Sequence, residues 1–186
     1  GAGPQVIAVS SYDEFPSAVD ALPRVGALLD PDIERILSLR PELVLTYGSQ
    51  SELEVQLARA GIRTFTYRHS GVAGVLQALR ELGEATGHAA DGELKAREIQ
   101  AQLDAVRARV GRYPRPRTLL VLTRQPQSLQ QMYVSGGTGF LDDILQIAGG
   151  ANVFADVQRE AVQPSHETLL ARAPEAIVEL HAAGMM

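Results

Sequence analysis

The aromatic side chains of this sequence are concentrated where predicted β-strands end. The chain has five tyrosines and no tryptophan. Four of the tyrosines follow short apolar segments that predict strands: Tyr12, Tyr47, Tyr67 and Tyr133. Ligands bind beyond the carboxyl ends of strands in open parallel sheets, and a tyrosine offers such a ligand a flat apolar face and a polar hydroxyl. We predict a ligand site lined by at least two of these tyrosines, although tyrosine also favours strands for structural reasons alone.

Basic side chains follow the same predicted strands. Arg68 and His69 come directly after Tyr67, and Arg124 follows a strand in the second half of the chain. A guanidinium donates paired hydrogen bonds to planar oxygen groups, so these arginines are candidates for polar ligand contacts. His69 is a candidate for a lone ligand contact, or for an axial bond to a metal that a chelate already holds.

Patterns typical of catalysis or of a dedicated metal site are weak. The sequence has no G-x-S-x-G and no H-E-x-x-H motif. Transition-metal sites need three or four converging ligands, whereas the four histidines share no helical spacing: His69, His88, His166 and His181. The segment "SGGTGF" from Ser135 to Phe140 resembles a phosphate loop but lacks its lysine. We favour a tight turn before a helix there, and a protein that binds rather than catalyses.

Alternating strands and helices position these candidate residues. Periodicity predicts strands at 6–9, 43–46, 62–67, 118–123, 131–134 and 176–180. It predicts helices at 32–39, 52–60, 72–86, 89–110, 140–148 and 167–172. This alternation indicates an α/β fold with mainly parallel sheets flanked by helices.

The helix at 89–110 interrupts the alternation, because about 22 residues pass without a strand signal. The proline-rich "GRYPRPR" then ends it. The simplest organisation is an N-terminal α/β lobe at 1–88, a connecting helix at 89–112 and a C-terminal α/β lobe at 113–186.

An internal repeat supports two related lobes. "ERILSLRPELVL" starts at Glu34 and "ETLLARAPEAIV" starts at Glu167, with Pro41 and Pro174 at the same place. Asp30 and Ser165 are the predicted N-caps of the two helices. An alternative interpretation is that helix, proline and strand form a common joint of α/β proteins. On that interpretation the glutamates are ordinary solvated residues.

Composition excludes several classes of function. A net charge of −5 argues against a nucleic-acid surface. No apolar run approaches the ~20 residues of a membrane-spanning helix. There is no cysteine, and therefore no disulfide or thiolate chemistry. The abrupt ends suggest a mature or trimmed chain whose targeting segment is absent.

The combined order of motifs resembles a known family. "VSSYDEFP", "LPRVGALLDPDIERILSLRPELVL", a long helix, "SGGTGFLDDILQIAGGANVFAD" and "SHETLLARAPEAIV" are similar to the substrate-binding proteins of ABC importers for cobalamin, ferric siderophores or haem. The resemblance implies two α/β lobes joined by one rigid helix, with a metal chelate held between them. It implies a non-enzymatic, monomeric protein without a resident cofactor. Its location would be periplasmic or lipid-anchored at the cell surface.

The resemblance also implies partners. In that family one glutamate on each lobe docks into an arginine pocket of a permease subunit, and the matching residues here are Glu34 and Glu167. The protein would then make peripheral contact with a membrane complex of permease and ATPase.

The ligand stays open between ferric chelates and cobalamin. The resembling cobalamin binders carry tryptophans that this chain lacks, and Leu28 stands where an aromatic residue is common. Siderophores would favour tyrosine and arginine, with Arg68, Arg124 and Arg159 as candidates. Two alternative functions also remain: a chelatase-like enzyme using His69 and His181, or a soluble sensor domain of the same fold.

Overall fold

The computed structural model describes residues 1–126, 128 and 130–181 of the chain. The chain divides into two units. The first unit contains Gly1–Arg68 and Gln77–Ala96, and the second contains His69–Leu76 and the residues from Arg97 onward. The predicted boundaries differ in detail, because residues 69–76 group with the second unit and not with the first. The assignment of the two units as functional lobes stays a prediction.

The first unit is built on two parallel strands. β1 (Leu43–Tyr47) pairs with β2 (Arg63–Tyr67) in a register that places Tyr47 opposite Tyr67. The connection between them contains α2 (Ser51–Arg59), since parallel strands need a crossover and a helix is its usual form. The helix α1 (Ile33–Ser38) precedes β1. The core of this unit is formed by Ile36, Leu53 and Leu57.

The predicted strand at 6–9 is not a strand. Only Val9 forms a bridge, with Arg24, and Val6 and Ile7 are 41% and 46% exposed. The apolar run therefore does not mark a buried element here. Pro23 precedes Arg24, the bridge partner of Val9, and has no N–H with which to extend the strand pairing.

The second unit contains a mixed sheet of five strands. Its strands are β3 (Arg117–Thr123), β4 (Tyr133–Ser135), β5 (Ala151–Asn152), β6 (Ala161–Val162) and β7 (Ala176–Glu179). β3 pairs in parallel with β5 and β7, whereas the pairings of β3 with β4 and of β4 with β6 are antiparallel. The α/β class is confirmed, and the sheet of this unit combines two parallel with two antiparallel pairings. The connection from β3 to β4 is shorter than the roughly dozen residues that a parallel crossover needs.

The remaining helices begin and end close to their predicted positions. They are α3 (Gly71–Ala85), α4 (Ala89–Val110), α5 (Phe140–Ile147) and α6 (His166–Arg172). At 22 residues, α4 is about 33 Å long, and its residues are divided between the two units after Ala96. Within the described residues, no helix combines the length and apolar character required to cross a bilayer.

Candidate functional site

Two tyrosines lie side by side at the end of the first-unit sheet. The ring centroids of Tyr47 and Tyr67 are 5.9 Å apart and their planes are tilted by 56°. Both residues end their strands, and the parallel register brings the two ends together. Tyr47 remains 38% exposed. The two rings together offer an aromatic surface of the kind that binds an apolar ligand face, and the ligand contact of both tyrosines stays a prediction.

The Glu54 carboxylate bridges the two strands at the residues that directly precede this aromatic pair. Glu54 on α2 accepts hydrogen bonds from the Thr46 hydroxyl at 2.7 Å and the Thr66 hydroxyl at 2.6 Å. Thr46 is buried. The hydroxyl of Thr66, then that of Thr46, and then the charge of Arg68 hold the pKa of Glu54 below its ordinary value, against an opposing effect of burial. Because hydrogen bonds to a carboxylate favour its ionised form, Glu54 is a charged anchor for both strand ends.

Arg68 lies across a glycine at the end of β1. A Cβ atom on Gly48 would come within 3.1 Å of Arg68 Cγ and 3.3 Å of Arg68 Nη1. The Gly48 N–H donates to the Tyr67 carbonyl at 2.9 Å. The absence of a side chain at residue 48 therefore makes room for the arginine beside the tyrosine pair.

The loop that carries Tyr12 is organised by Arg24. Arg24 Nη1 donates to the Ser10 carbonyl at 3.1 Å and also to the Asp13 carbonyl. Asp13 accepts from the Ser10 N–H at 2.7 Å, which closes the turn. Tyr12 is 81% exposed. An aromatic ring is thus presented to solvent from a loop whose backbone carbonyls are held by a cation.

A second loop presents Leu28. Gly26 has a φ of +85°, and a Cβ there would lie 2.4 Å from the Asp30 carbonyl oxygen, so the turn requires glycine. Gln50 donates to the Leu28 carbonyl at 3.0 Å and accepts from the Tyr47 N–H at 2.9 Å. This one amide links the Leu28 loop to the end of β1.

Hydrogen bonds link these loops and strand ends within the first unit. The Ser11 N–H donates to the Gly26 carbonyl at 2.8 Å, which joins the Tyr12 loop to the Leu28 loop. We call this linked set the first-unit site and define it as Tyr12, Leu28, Tyr47, Tyr67 and Arg68. The sequence analysis did not assign Leu28 to the site, although its position after "VGA" was a usable signal.

The second unit has its own pocket, of about 600 Å³. It lies at the end of the sheet where β3 stops and β4 starts. We call it the second-unit site. The described residues that line it are Thr123, Arg124, Gln125, Pro126, Gln131, Tyr133 and Gln163. Two of the predicted ligand-binding residues, Arg124 and Tyr133, are therefore brought together, while Gln131 and Gln163 were missed.

Arg124 in this pocket is paired with a carboxylate on β7. Arg124 Nε lies 2.8 Å from Glu179 Oε1, and Nη2 donates to Glu179 Oε2 at 3.1 Å. The two side chains are 28% and 25% exposed. This fork-to-fork geometry is the strong form of an arginine–carboxylate pair.

Strand direction places Tyr133 and the backbone of Arg159 near opposite ends of β4. Because β4 is antiparallel to β3, Tyr133 reaches the pocket from the start of its strand and not from the end. The end of β4 leads to Gly136, where a Cβ would lie 2.0 Å from the Arg159 carbonyl oxygen. Arg159 is therefore beside the opposite end of β4, away from the residues that line the pocket. Its ligand contact stays a prediction.

His69 lies beside Phe140, with ring centroids 6.0 Å apart. It precedes α3, whose second residue Val72 donates its N–H to Asp143 Oδ2 at 2.8 Å. His69 is not among the described residues that line the second-unit pocket. Nor do the described residues contain a group of three or more histidine, aspartate or glutamate side chains able to hold a metal ion. Axial ligation by His69 stays a prediction.

The glycine-rich segment after β4 is packed against protein backbone. A Cβ on Gly137 would lie 2.0 Å from the Ala155 carbonyl oxygen. Buried Asn152 donates to the Gly136 carbonyl and to Asp142 Oδ1, each at 2.8 Å. The glycines are thus required for close packing in a tight turn, in agreement with the structural interpretation of "SGGTGF".

The two repeated glutamates occupy matching helix positions. Glu34 and Glu167 are both exposed, and each is the second residue of its helix. The predicted N-cap Asp30 is wrong for α1, because Asp32 is the residue whose side chain accepts from the Arg35 N–H. For α6 the prediction of Ser165 is confirmed.

Known proteins resemble this chain in sequence and in structure. A family model described as periplasmic binding protein matches residues 1–181. A vitamin B12-binding protein of Yersinia pestis (strain Pestoides F) is 28% identical over 180 residues, which are 96% of this chain and 62% of the relative. The chain therefore spans about 62% of the length of the curated relatives it matches.

Two solved structures are also similar. A periplasmic haem-binding protein from Roseiflexus sp. RS-1 matches with a TM-score of 0.76 and 26% identity, over 94% of this chain and 67% of that one. An ABC transporter substrate-binding protein from Listeria monocytogenes EGD-e matches with a TM-score of 0.78 and 20% identity, over 93% of this chain and 66% of that one. At 20% identity the second match shows similarity of fold alone.

Proposed function

The chain belongs to the periplasmic binding protein family, and we propose that it is the substrate-binding component of an ABC importer. In this role it captures a metal chelate and delivers it to a membrane permease. The chelate classes consistent with the proposal are cobalamin, haem and ferric siderophores. The protein acts by binding and release, without covalent chemistry.

The observation that carries this proposal is the tilted pair of Tyr47 and Tyr67, 5.9 Å between centroids, at the ends of adjacent strands. An exposed tyrosine beside a half-buried one at such a place suits the broad face of a macrocycle or a bulky chelate. Tyr12 and Leu28 extend the surface, and Arg68 adds a cation at its edge. The Glu54 anchor and the Arg24 loop contacts hold these groups in place before a ligand arrives, which reduces the ordering entropy lost on binding.

The similar proteins support the class of ligand. The curated relative from Yersinia pestis is named for vitamin B12 binding, and the Roseiflexus structure is named for haem binding. Both ligands are large metal macrocycles with a flat ring system. The tyrosine surface of the first-unit site fits that shared chemistry.

Delivery requires a permease, and we propose that Glu34 and Glu167 contact it. Each carboxylate is exposed at the start of a helix and free to meet a partner arginine. Glutamate–arginine contacts are charge-assisted and fix the registry of an interface. The proposal includes an extracytoplasmic location, a monomeric state, and a permease and ATPase as partners.

The direct test is titration of the purified protein with cyanocobalamin, haem and a panel of ferric siderophores, followed by tyrosine fluorescence and calorimetry. We expect micromolar or tighter binding, on the order of 10⁻⁶ M or below, to one class of chelate. Failure of all these ligands to bind would contradict the proposal. Turnover of a tetrapyrrole that is lost in His69→Ala would instead favour the chelatase-like alternative.

A further inference from the structure

The Arg124–Glu179 pair determines the net charge of the second-unit site. The bidentate contact at 2.8 Å and 3.1 Å occupies the guanidinium edge formed by Nε and Nη2. The third nitrogen, Nη1, lies 3.4 Å from the Ser128 carbonyl oxygen and 3.5 Å from that of Gln125. The arginine is thus surrounded by acceptors supplied by the protein itself.

Apart from Arg124, the described residues that line the pocket are uncharged, and most of them are polar. Thr123, Tyr133 and three glutamines, Gln125, Gln131 and Gln163, line it together with Pro126 and Arg124. Each glutamine amide both donates and accepts hydrogen bonds. Such a lining matches carboxamides and hydroxyls on a ligand better than it matches ionised groups.

We propose that Glu179 is a specificity-determining residue, which neutralises the charge of Arg124 and thereby makes the second-unit site select neutral, amide-bearing chelates over anionic ones. This inference rests on the proposed function and narrows its ligand class. A ligand carboxylate that approached Arg124 would have to displace Glu179 or lie beside it. Displacement leaves a half-buried carboxylate without its partner, and proximity brings two like charges together.

The other charged groups described nearby do not supply a free cation in the pocket. His181 Nε2 lies 4.0 Å from Glu179 Oε2, so this side chain faces the same carboxylate as Arg124 does. Arg159 lies beside the opposite end of β4. On this proposal the site discriminates by repelling anionic ligands and by leaving Arg124 with its donors already occupied, as much as by attracting neutral ligands.

The experiment compares Glu179→Gln with wild type against four probes. Cyanocobalamin and ferrichrome are the neutral probes, while haem and a ferric tricatecholate are the anionic ones. We expect wild type to bind a neutral probe more tightly than either anionic one. Glu179→Gln frees a positive charge, so the affinity ratio of anionic to neutral probes should rise about tenfold, with a stronger dependence on salt.

Two further variants keep the test decisive. Arg124→Gln/Glu179→Gln removes both charges, so it should regain the wild-type preference even if Glu179→Gln is less stable. Asp156→Asn disrupts a comparable pair, since Arg172 Nη1 lies 2.6 Å from Asp156 Oδ1 outside the pocket. It makes the same change in net charge and should leave the ratio unchanged.

The outcomes separate the two proposals. If a chelate binds but Glu179→Gln leaves the ratio as it was, or if wild type prefers an anionic probe, the specificity role is wrong and the binding function stands. If none of the four probes binds, the proposed function fails and the inference fails with it.

Discussion

Glu34 and Glu167 stand at the same position of two equivalent helix starts. Each follows its N-cap by two residues, and each N-cap side chain accepts from the N–H three residues further on, at 2.9 Å for Asp32 and 3.1 Å for Ser165. The two segments are therefore alike in backbone geometry as well as in sequence.

The equivalence continues through the end of each helix. Arg40 and Ala173, which precede the two repeated prolines, have φ values of 49° and 41°. Their N–H groups donate to Leu37 and Leu170 at 3.2 Å and 3.1 Å. A left-handed residue of this kind closes the last turn of a helix. Both interpretations of the repeat predict such a joint, so the role of the glutamates needs its own test.

Removing both glutamates should reduce transport of the chelate without weakening its binding. For Glu34→Ala/Glu167→Ala in the full-length receptor, we expect chelate affinity to stay within about twofold and transport to fall tenfold or more, because arginines at the permease would lose their partners. Uptake of labelled ligand and calorimetry would measure the two quantities. Glu52→Ala is the matched control, since Glu52 is also exposed and also the second residue of its helix. Equal loss of transport in the control would contradict permease docking.

Truncation of the aromatic pair should weaken ligand binding. Tyr47→Ala or Tyr67→Ala removes one of two rings 5.9 Å apart, and we expect about a tenfold rise in Kd, with Phe variants close to wild type. Tyr113→Ala is the control, because Tyr113 is 58% exposed outside both sites. Calorimetry with the chelate that binds wild type would measure these effects. Unchanged affinity in both Ala variants would show that the first-unit site does not hold the ligand.

The Leu28 loop should tolerate no side chain at Gly26. Gly26→Ala combines a φ of +85° with a clash 2.4 Å from Asp30 O, whereas Gly61→Ala meets a φ of +74° with no atom within 4 Å. We expect Gly61→Ala to lower the free energy of unfolding by about 1 kcal/mol and Gly26→Ala by roughly 2–4 kcal/mol. Urea denaturation would measure both. Equal losses would mean that the loop adapts and that only backbone strain matters.

The Glu54 anchor predicts a specific loss of stability in acid. Its pKa is lower in the folded protein than its ordinary value of 4.5, first because of Thr66 and then Thr46. A depressed pKa means that the stabilisation is complete above pH 4.5 and is lost as the pH falls through the lower, folded-state pKa. Glu54→Gln should therefore be less stable than wild type at pH 7, with a difference that shrinks below pH 4.5. Urea midpoints across that range would measure this, and a constant difference would contradict it.

Local patterns were sufficient for most of the elements. The helix at 89–110 was predicted with the bounds that the structure has, because its length and its proline-rich end leave no other assignment. The very short strands β5 and β6 were missed. Two residues carry no periodicity, and their strand character exists only through pairing with β3 and β4.

The sequence alone determined which residue types are available for a site, and it determined the α/β alternation and the repeated helix start. The last two depend on interactions within a few neighbouring residues. Tertiary structure decided which of the predicted site residues meet. Tyr47 and Tyr67 come together through parallel pairing, and Tyr133 joins Arg124 only because β4 runs antiparallel. The ion pair of Arg124 depends on Glu179, 55 residues along the chain. Strand direction and long-range charge pairing are set by packing of the whole sheet, and no local pattern encodes them.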